Sequence, residues 1–359
     1  MRTLRLILAY DGTAFAGWQS QRDQRTVQGV LHAAFAQVTG LEPKTLASSR
    51  TDAGVHALGQ VVGVRVETRL AADVLQRALN ANLPPDVCVR EVCDVPATFH
   101  PLRDAVRKHY RYAIHDGPTA DVFARHFCWR YACGRLDVAA MRRAAAALCG
   151  THDFRSFATS GSPRKTTVRT IERLAIERSS GTWQMADGRS QMADGSTGAE
   201  GAFSRDAQRS EQGLQISDFR FQISDSHKAA TGGRAAREPQ LSDADPATAL
   251  PDSRMRASNL PSQPADIAAE PAAAQGRAGQ GRVGGDFVLF DIVGNGFLYN
   301  MVRTIVGTLV PVGRDQRPET WPGEVLRAAD RRAAGRTAPP QGLCLVQVEL
   351  REPQENCKV

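Results

Sequence analysis

Residues 181–285 carry only 15 large apolar side chains (Leu, Ile, Val, Met, Phe, Trp) in 105 positions, the rest being mostly Gly, Ala, Ser, Pro, Asp and Gln. Such a stretch has too little apolar surface to offset the entropy of ordering it and is expected to be largely disordered. Two short units recur within it at a period of seven residues: Gln184-Met185-Ala186-Asp187-Gly188 returns as Gln191-Met192-Ala193-Asp194-Gly195, and Gln215-Ile216-Ser217-Asp218 returns as Gln222-Ile223-Ser224-Asp225. A coiled coil would need apolar a and d positions, which are missing. Tandem duplication of a seven-codon unit accounts for both repeats more simply. The stretch therefore reads as an insertion leaving from a surface hairpin, where added length is cheap. Any core has to come from the other 254 residues.

Those residues alternate between strand and helix patterns. Arg5–Tyr10 reads as a strand ending at the turn signal Asp11-Gly12. Thr26 is placed to cap a helix whose apolar positions Val27, Val30, Leu31, Ala34, Phe35 and Val38 share one face, with Gly40 as its stop. Strands are expected over Gln60–Val66 and Val87–Val92, with a helix marked by Leu70, Val74, Leu75, Ala78 and Leu79 between them. The pattern then repeats. Strands are expected at Tyr110–His115, Ile171–Glu177, Asp286–Val293 and Gly342–Leu350, and helices at Val138–Leu148 and Phe297–Val310. Two similar halves follow, in a compact α/β or α+β arrangement: residues 1–105, then 106–180 with 286–359, joined near 95–109.

Charge and cysteine content narrow the function classes. The chain has a formal net charge of +7, which rises to +9 without residues 181–285, so the basic surplus belongs to the folded body. That favours a polyanionic partner. The seven cysteines include no C-x-x-C pair, which argues against a disulfide framework or a zinc ribbon and for free thiols in a reducing cytoplasm. No apolar run is long enough for a signal peptide or a membrane span. There is no H-E-x-x-H and no glycine-rich phosphate loop after a strand, so neither a metal nor a nucleotide cofactor is expected.

The chemistry-bearing candidate is Ser49-Arg50-Thr51-Asp52-Ala53-Gly54-Val55-His56. It sets a lone carboxylate beside an arginine, just ahead of an apolar strand, where an ionised Asp52 can serve as nucleophile or base. Spacing alone favours the plainer reading of a surface turn in which Asp and Gly supply turn geometry.

Several segments together resolve that choice. Arg50-Thr51-Asp52-Ala53-Gly54-Val55-His56 resembles the catalytic motif of the TruA family of tRNA pseudouridine synthases. Tyr10 to Gln19 (Tyr-Asp-Gly-Thr-Ala-Phe-Ala-Gly-Trp-Gln) resembles the family's opening motif, Val27-Gln28-Gly29-Val30-Leu31 its first helix, and Asn80-Ala81-Asn82-Leu83-Pro84 the end of its second. Phe99-His100 followed by Tyr110-Arg111-Tyr112 resembles its domain junction. Gly294 to Arg303 and Thr337 to Leu343 are similar to its C-terminal motifs. The resemblance runs in order through nearly all of the chain outside 181–285.

The resemblance implies an α+β pseudouridine synthase fold: two ferredoxin-like halves, a mixed and largely antiparallel sheet, and a central cleft. It implies a cofactor-independent isomerase, homodimeric and cytoplasmic, acting on uridines 38–40 of the tRNA anticodon stem-loop. Asp52 is the implied catalytic residue. It works on the flipped uridine while the C1′–N1 bond breaks, the uracil turns, and it rejoins through C5. Arg303 would pair with Asp52 to keep it ionised, although an arginine in so apolar a helix also reads as one reaching out to solvent. Tyr110 would stack on the base. Tyr112 shares its strand face, so spacing does not separate the two tyrosines. Arg50 is implied to contact RNA near the site. Phe99, His100, Arg103, Lys108 and Arg111 are further RNA-binding candidates, and Arg164, Lys165 and Arg169 are weaker ones.

The chain departs from the family pattern in three places. Ser49 stands where a glycine is usual, Leu102 where an RNA-contacting arginine is usual (with Arg103 one position on), and the segment Ser156–Gly161 lacks a common cysteine. A tRNA-binding protein without catalysis, or a modifying enzyme of the same fold with another substrate, are the competing readings.

Overall fold

The computed structural model describes residues 1–159, 166–179 and 286–351. The expected disorder of 181–285, its repeats, Arg164 and Lys165 all lie outside the described residues. The elements run β1 (Arg2–Tyr10), α1 (Val27–Thr39), β2 (Lys44–Ala47), β3 (His56–Val66), α2 (Ala72–Asn82), β4 (Val87–Asp94), β5 (Ala105–His115), β6 (Trp129–Arg130), α3 (Val138–Ala145), β7 (Gly150–Asp153), β8 (Val168–Ser179), β9 (Phe287–Gly294), α4 (Met301–Gly313), α5 (Trp321–Ala328) and β10 (Leu343–Leu350). The fold is α+β, and the ten described strands form one open mixed sheet in the order β4-β1-β3-β10-β5-β9-β8-β7, with β2 added to β3 and β6 to β5. Pairing is antiparallel except at β3–β10 and β5–β6.

Strand alternation places the core. Leu4, Leu6, Leu8 and Tyr10 of β1 are buried on one face while the residues between them are half-exposed. Helices α1 and α2 pack on each other, and α2 also packs on β4; α3 packs on α4, α5 and β8. Thr26 caps α1 as expected, its hydroxyl accepting from the Gly29 N–H at 3.2 Å, and Gly40 ends the helix in the left-handed conformation at φ 72°. The outer strand β4 is shielded by α2. Asn80 exchanges two hydrogen bonds with the Val89 backbone, donating to its carbonyl at 2.9 Å and accepting from its N–H at 2.8 Å, and Gln76 donates to the Arg90 carbonyl at 2.8 Å. Edge backbone that would otherwise invite another strand is thereby occupied.

Strand β3 begins at His56 rather than Gln60 and β8 extends to Val168–Ser179, and three further boundaries differ from the sequence reading for physical reasons. Strand β5 starts at Ala105 rather than Tyr110, because its charged first half is satisfied across the sheet: Arg107 pairs with Glu172 and Glu349, and His109 with Asp291. Helix α4 begins at Met301 rather than Phe297, because Asn300 takes φ 61° and cannot continue a right-handed helix. Helix α3 ends at Ala145, and Ala146–Leu148 tighten into a 3₁₀ turn. Short β2, β6 and β7, and helix α5, were not evident from periodicity.

The last strand joins the β1–β4 strands to the β5–β9 strands. Strand β10 lies between β3 and β5, so Leu345 faces Ala57 on one side and Tyr110 on the other. Tyr10 pairs with Ala57 and Tyr110 with Ile292, which gives one row of same-face residues across the sheet: Tyr10, Ala57, Leu345, Tyr110, Ile292.

Candidate active site

Strands β2 and β3 form a hairpin, pairing from Lys44↔Arg65 to Ala47↔Val62, and the connection between its arms carries Asp52. Backbone around it packs unusually closely. Gly12 and Gly17 leave no room for a side chain, since a Cβ at either would run into the Val55 or Thr51 carbonyl. Gly17 also sits at φ 100°. The Trp18 N–H donates to the Thr51 carbonyl at 3.0 Å and the Gly54 N–H to the Phe15 carbonyl at 3.3 Å. The opening motif therefore works as a cradle for the Asp52 turn.

A buried amide completes the cradle. Gln60 accepts from the Ser48 hydroxyl at 2.9 Å and the Ser49 N–H at 3.2 Å, and donates to the Ser49 carbonyl at 2.6 Å and the Tyr10 hydroxyl at 3.4 Å. Tyr10 in turn meets the Thr51 hydroxyl at 2.8 Å. Lys108 of β5 reaches the same loop and donates to the Ser48 carbonyl at 2.6 Å. Ser49 is buried here, and among the described residues the non-glycine positions with positive φ are Asp23, Asn300, Asp315 and Ala329, so serine in place of glycine introduces no backbone strain. Gln60 escaped the sequence reading, although a lone amide inside Leu58-Gly59-Gln60-Val61-Val62 was the available signal.

Arg303 approaches Asp52 from α4, Nη1 to Oδ2 at 3.5 Å, with the two side chains 14% and 25% exposed. Its guanidinium is held by neutral oxygens as well: Nε donates to the Ala338 carbonyl at 2.7 Å and Nη1 to Asn300 Oδ1 at 2.9 Å. Burial pushes the Asp52 carboxyl above the ordinary aspartate range, and the charge and hydrogen-bonding capacity of Arg303 pull it part of the way back. Arg50 is exposed next to the turn and has no ion pair or hydrogen bond among the described residues.

The tail segment before β10 closes over these groups. Ala338 brackets Arg303, its N–H donating to the Arg303 backbone carbonyl at 3.1 Å. The Tyr112 hydroxyl donates to the Pro339 carbonyl at 2.7 Å, and Pro340 lies against Gly54 of the Asp52 turn. The two strand tyrosines, both buried, thus have different surroundings. Tyr112 is fully buried under Gly342 and pins the tail. Tyr110 sits across β10 from the Asp52 side, its ring edge-on to Phe297 at 5.2 Å between centroids. Two strand spacings separate Tyr110 from Ala57, about 10 Å.

Other candidates are not gathered there. Arg111 alternates to the opposite sheet face from Tyr110 and binds Asp291, Nε to Oδ1 at 2.9 Å, sharing that carboxylate with His109. Phe99 lies over Gly63 of β3, about 20 Å along the strand from His56. His100 and Arg103 close a local turn: the Arg103 N–H donates to His100 Nδ1 at 3.2 Å, and its guanidinium donates to the Thr98 carbonyl at 3.0 Å. Buried His56, depressed by its loss of solvation, accepts the Gly12 N–H at 3.0 Å and supports the cradle. Among the described residues no group of three His, Cys, Asp or Glu side chains is placed to hold a metal, and no helix is long and apolar enough to cross a membrane. The described cysteines are all free.

A half-buried carboxylate held in a closely packed turn and faced by an oriented arginine, on a basic α+β scaffold, is an arrangement able to do nucleophile or base chemistry. A family model described as tRNA pseudouridine synthase matches residues 6–103, 144–195 and 218–350, and the chain belongs to that family. It is similar to the tRNA pseudouridine synthases A of Geobacter sp. (strain M21), 32% identical over 97% of this chain and 98% of the relative, and of Brevibacillus brevis, 33% identical over 97% and 99%. The protein of the same name from Halalkalibacterium halodurans is 33% identical over 96% of this chain and 90% of its own length. The protein is accordingly an isomerase that converts uridine to pseudouridine in tRNA.

Proposed function

We propose that the reaction centre is Asp52, that Arg303 holds its charge and orientation, and that the target uridines are positions 38–40 of the tRNA anticodon stem-loop. The observation that carries this reading is the Asp52–Arg303 pair at 3.5 Å, in a turn tied by backbone hydrogen bonds to Trp18 and Phe15. A uridine flipped out of its stack presents its sugar to Asp52, and its base would lie against Tyr110 across β10. The ionised carboxylate acts at the ribose as nucleophile or base. The C1′–N1 bond breaks, the uracil turns, and C1′ bonds to C5. The hydrogen leaves C5 and N1 gains one, so the product is an isomer of the substrate and no co-reactant is consumed.

Arg50, exposed beside Asp52, would meet the RNA backbone or the gap left by the extruded base. Lys108 supports the Asp52 loop from β5, and Phe99, His100 and Arg103 would contact tRNA farther out. The working form is a homodimer in the cytoplasm. Anticodon stem-loops with a single uridine at position 38, 39 or 40, and controls with uridine elsewhere in the stem, test the assignment by mapping pseudouridine after incubation. Product confined to 38–40 is the expected result; product outside that window in tRNA would overturn the positional claim.

A further inference from the structure

We infer that Asn300 is a positioning residue for this reaction, fixing the Arg303 guanidinium in front of Asp52 and tying it to Thr159. Asn300 occupies the N-cap position of α4, yet its side chain makes no cap bond to the helix. An asparagine there ordinarily spends its oxygen on an N–H of the first turn. Here Oδ1 instead accepts from Arg303 Nη1 at 2.9 Å, and the amide nitrogen donates to the Thr159 hydroxyl at 3.0 Å. The Thr159 N–H also donates to the Tyr299 carbonyl at 3.2 Å, so the tether has two strands. The left-handed backbone of Asn300, φ 61°, is one that asparagine tolerates better than most residues, and it is what turns the side chain back along the helix start.

The geometry separates orientation from neutralisation. Arg303 Nη1 is closer to Asn300, at 2.9 Å, than to Asp52, at 3.5 Å. With Nε on the Ala338 carbonyl at 2.7 Å, two uncharged oxygens set the plane of the guanidinium. Neither consumes its charge, which remains available to Asp52. A carboxylate in place of Asn300 would hold the arginine just as tightly and cancel it. Around Asp52, Arg303 is the charge facing it from α4, Arg50 lies in its own turn, and the Tyr112 phenol near Arg303 is pushed far up by burial and stays neutral.

The inference rests on the role proposed for Asp52 and Arg303. Its test compares wild type with Asn300→Gly, which keeps the backbone conformation, Asn300→Asp and Thr159→Val, measuring kcat, KM, the acid limb of kcat against pH, and Tm. Asn300→Gly is expected to lower kcat about tenfold with KM changed less than about twofold, and to move the acid limb to higher pH. Asn300→Asp is expected to move the limb further and lower kcat by about a hundredfold, and Thr159→Val to lower kcat about threefold. A wild-type acid limb in both Asn300 variants would overturn the inference, as would losses confined to KM or Tm. Should the Asn300 variants not fold, a wild-type kcat in Thr159→Val would overturn it. An inactive wild type would instead count against the underlying reading.

Discussion

Asp52 is held at a cost to the fold. Its carboxyl lies above the ordinary aspartate range because burial outweighs the help of Arg303. A carboxyl raised in the folded state contributes stability that is fully present below its unfolded pKa and lost as pH rises through the folded value. Asp52→Asn is therefore expected to unfold at a Tm equal to or above wild type at neutral pH, which a thermal melt checks. Activity is expected to have the opposite sign, since the proposed chemistry needs the ionised form: the rate should rise with pH through the elevated pKa. Removing Arg303 takes away the group that lowers it. Arg303→Met is expected to shift the acid limb of a single-turnover pH–rate profile upward and to lower the rate at neutral pH by at least about tenfold. An unshifted limb would mean that the pair does not act as described. Tyr110 and Tyr112 separate in the same way. Tyr112→Phe loses the bond to Pro339 and is expected to cost about 1 kcal/mol of stability, read by denaturant titration, with little effect on turnover, whereas Tyr110→Ala is expected to lose turnover and, because its ring is buried against Phe297, about 3 kcal/mol of stability as well.

The elements that bring these groups together were legible to different degrees. Strand β1, helix α1 and its cap, and the strand after Asp52 followed from apolar periodicity and end signals, because one face of each is buried and the other is not. The charged start of β5 did not, since cross-strand partners such as Glu172 and Glu349 are distant in sequence. Strand β2 is four residues whose sequence, Lys-Thr-Leu-Ala, shows no apolar alternation, so the turn read as preceding a strand proves to be the loop of a hairpin. The candidate site was legible only through resemblance: nothing in the spacing of Asp52, Tyr110 and Arg303 foretells that Arg303 would reach Asp52 or that Tyr110 would lie across β10 from that side. Gln60, Asn300 and the Ala338 bracket act through hydrogen bonds that leave no periodic trace. Gln60→Leu would strand the buried Ser48 hydroxyl and the polar backbone of Ser49. It is expected to destabilise the protein by about 1–3 kcal/mol and to lower activity with it, measurable as paired denaturation and turnover experiments.

For the whole molecule, the strands flanking the low-complexity stretch decide what it can be spared. Strands β8 and β9 are antiparallel partners, and Ser179 lies directly opposite Phe287. The chain therefore leaves and returns at one point of the sheet. Deleting 181–285 leaves Ser180 and Asp286 as a two-residue link, a length that suits a hairpin. The shortened protein is expected to remain soluble, with Tm within a few degrees and turnover near that of the full chain. Its surface would be more basic, with a formal charge of +9 in place of +7. Loss of soluble active protein on deletion would show that the stretch is needed. The central claim, that the Asp52 carboxylate performs the isomerisation, is tested most directly by incubating tRNA with wild type and with Asp52→Asn, quantifying pseudouridine and measuring tRNA binding in parallel. Pseudouridine with wild type, none with Asp52→Asn, and unchanged binding is the expected result; turnover surviving in Asp52→Asn would contradict it.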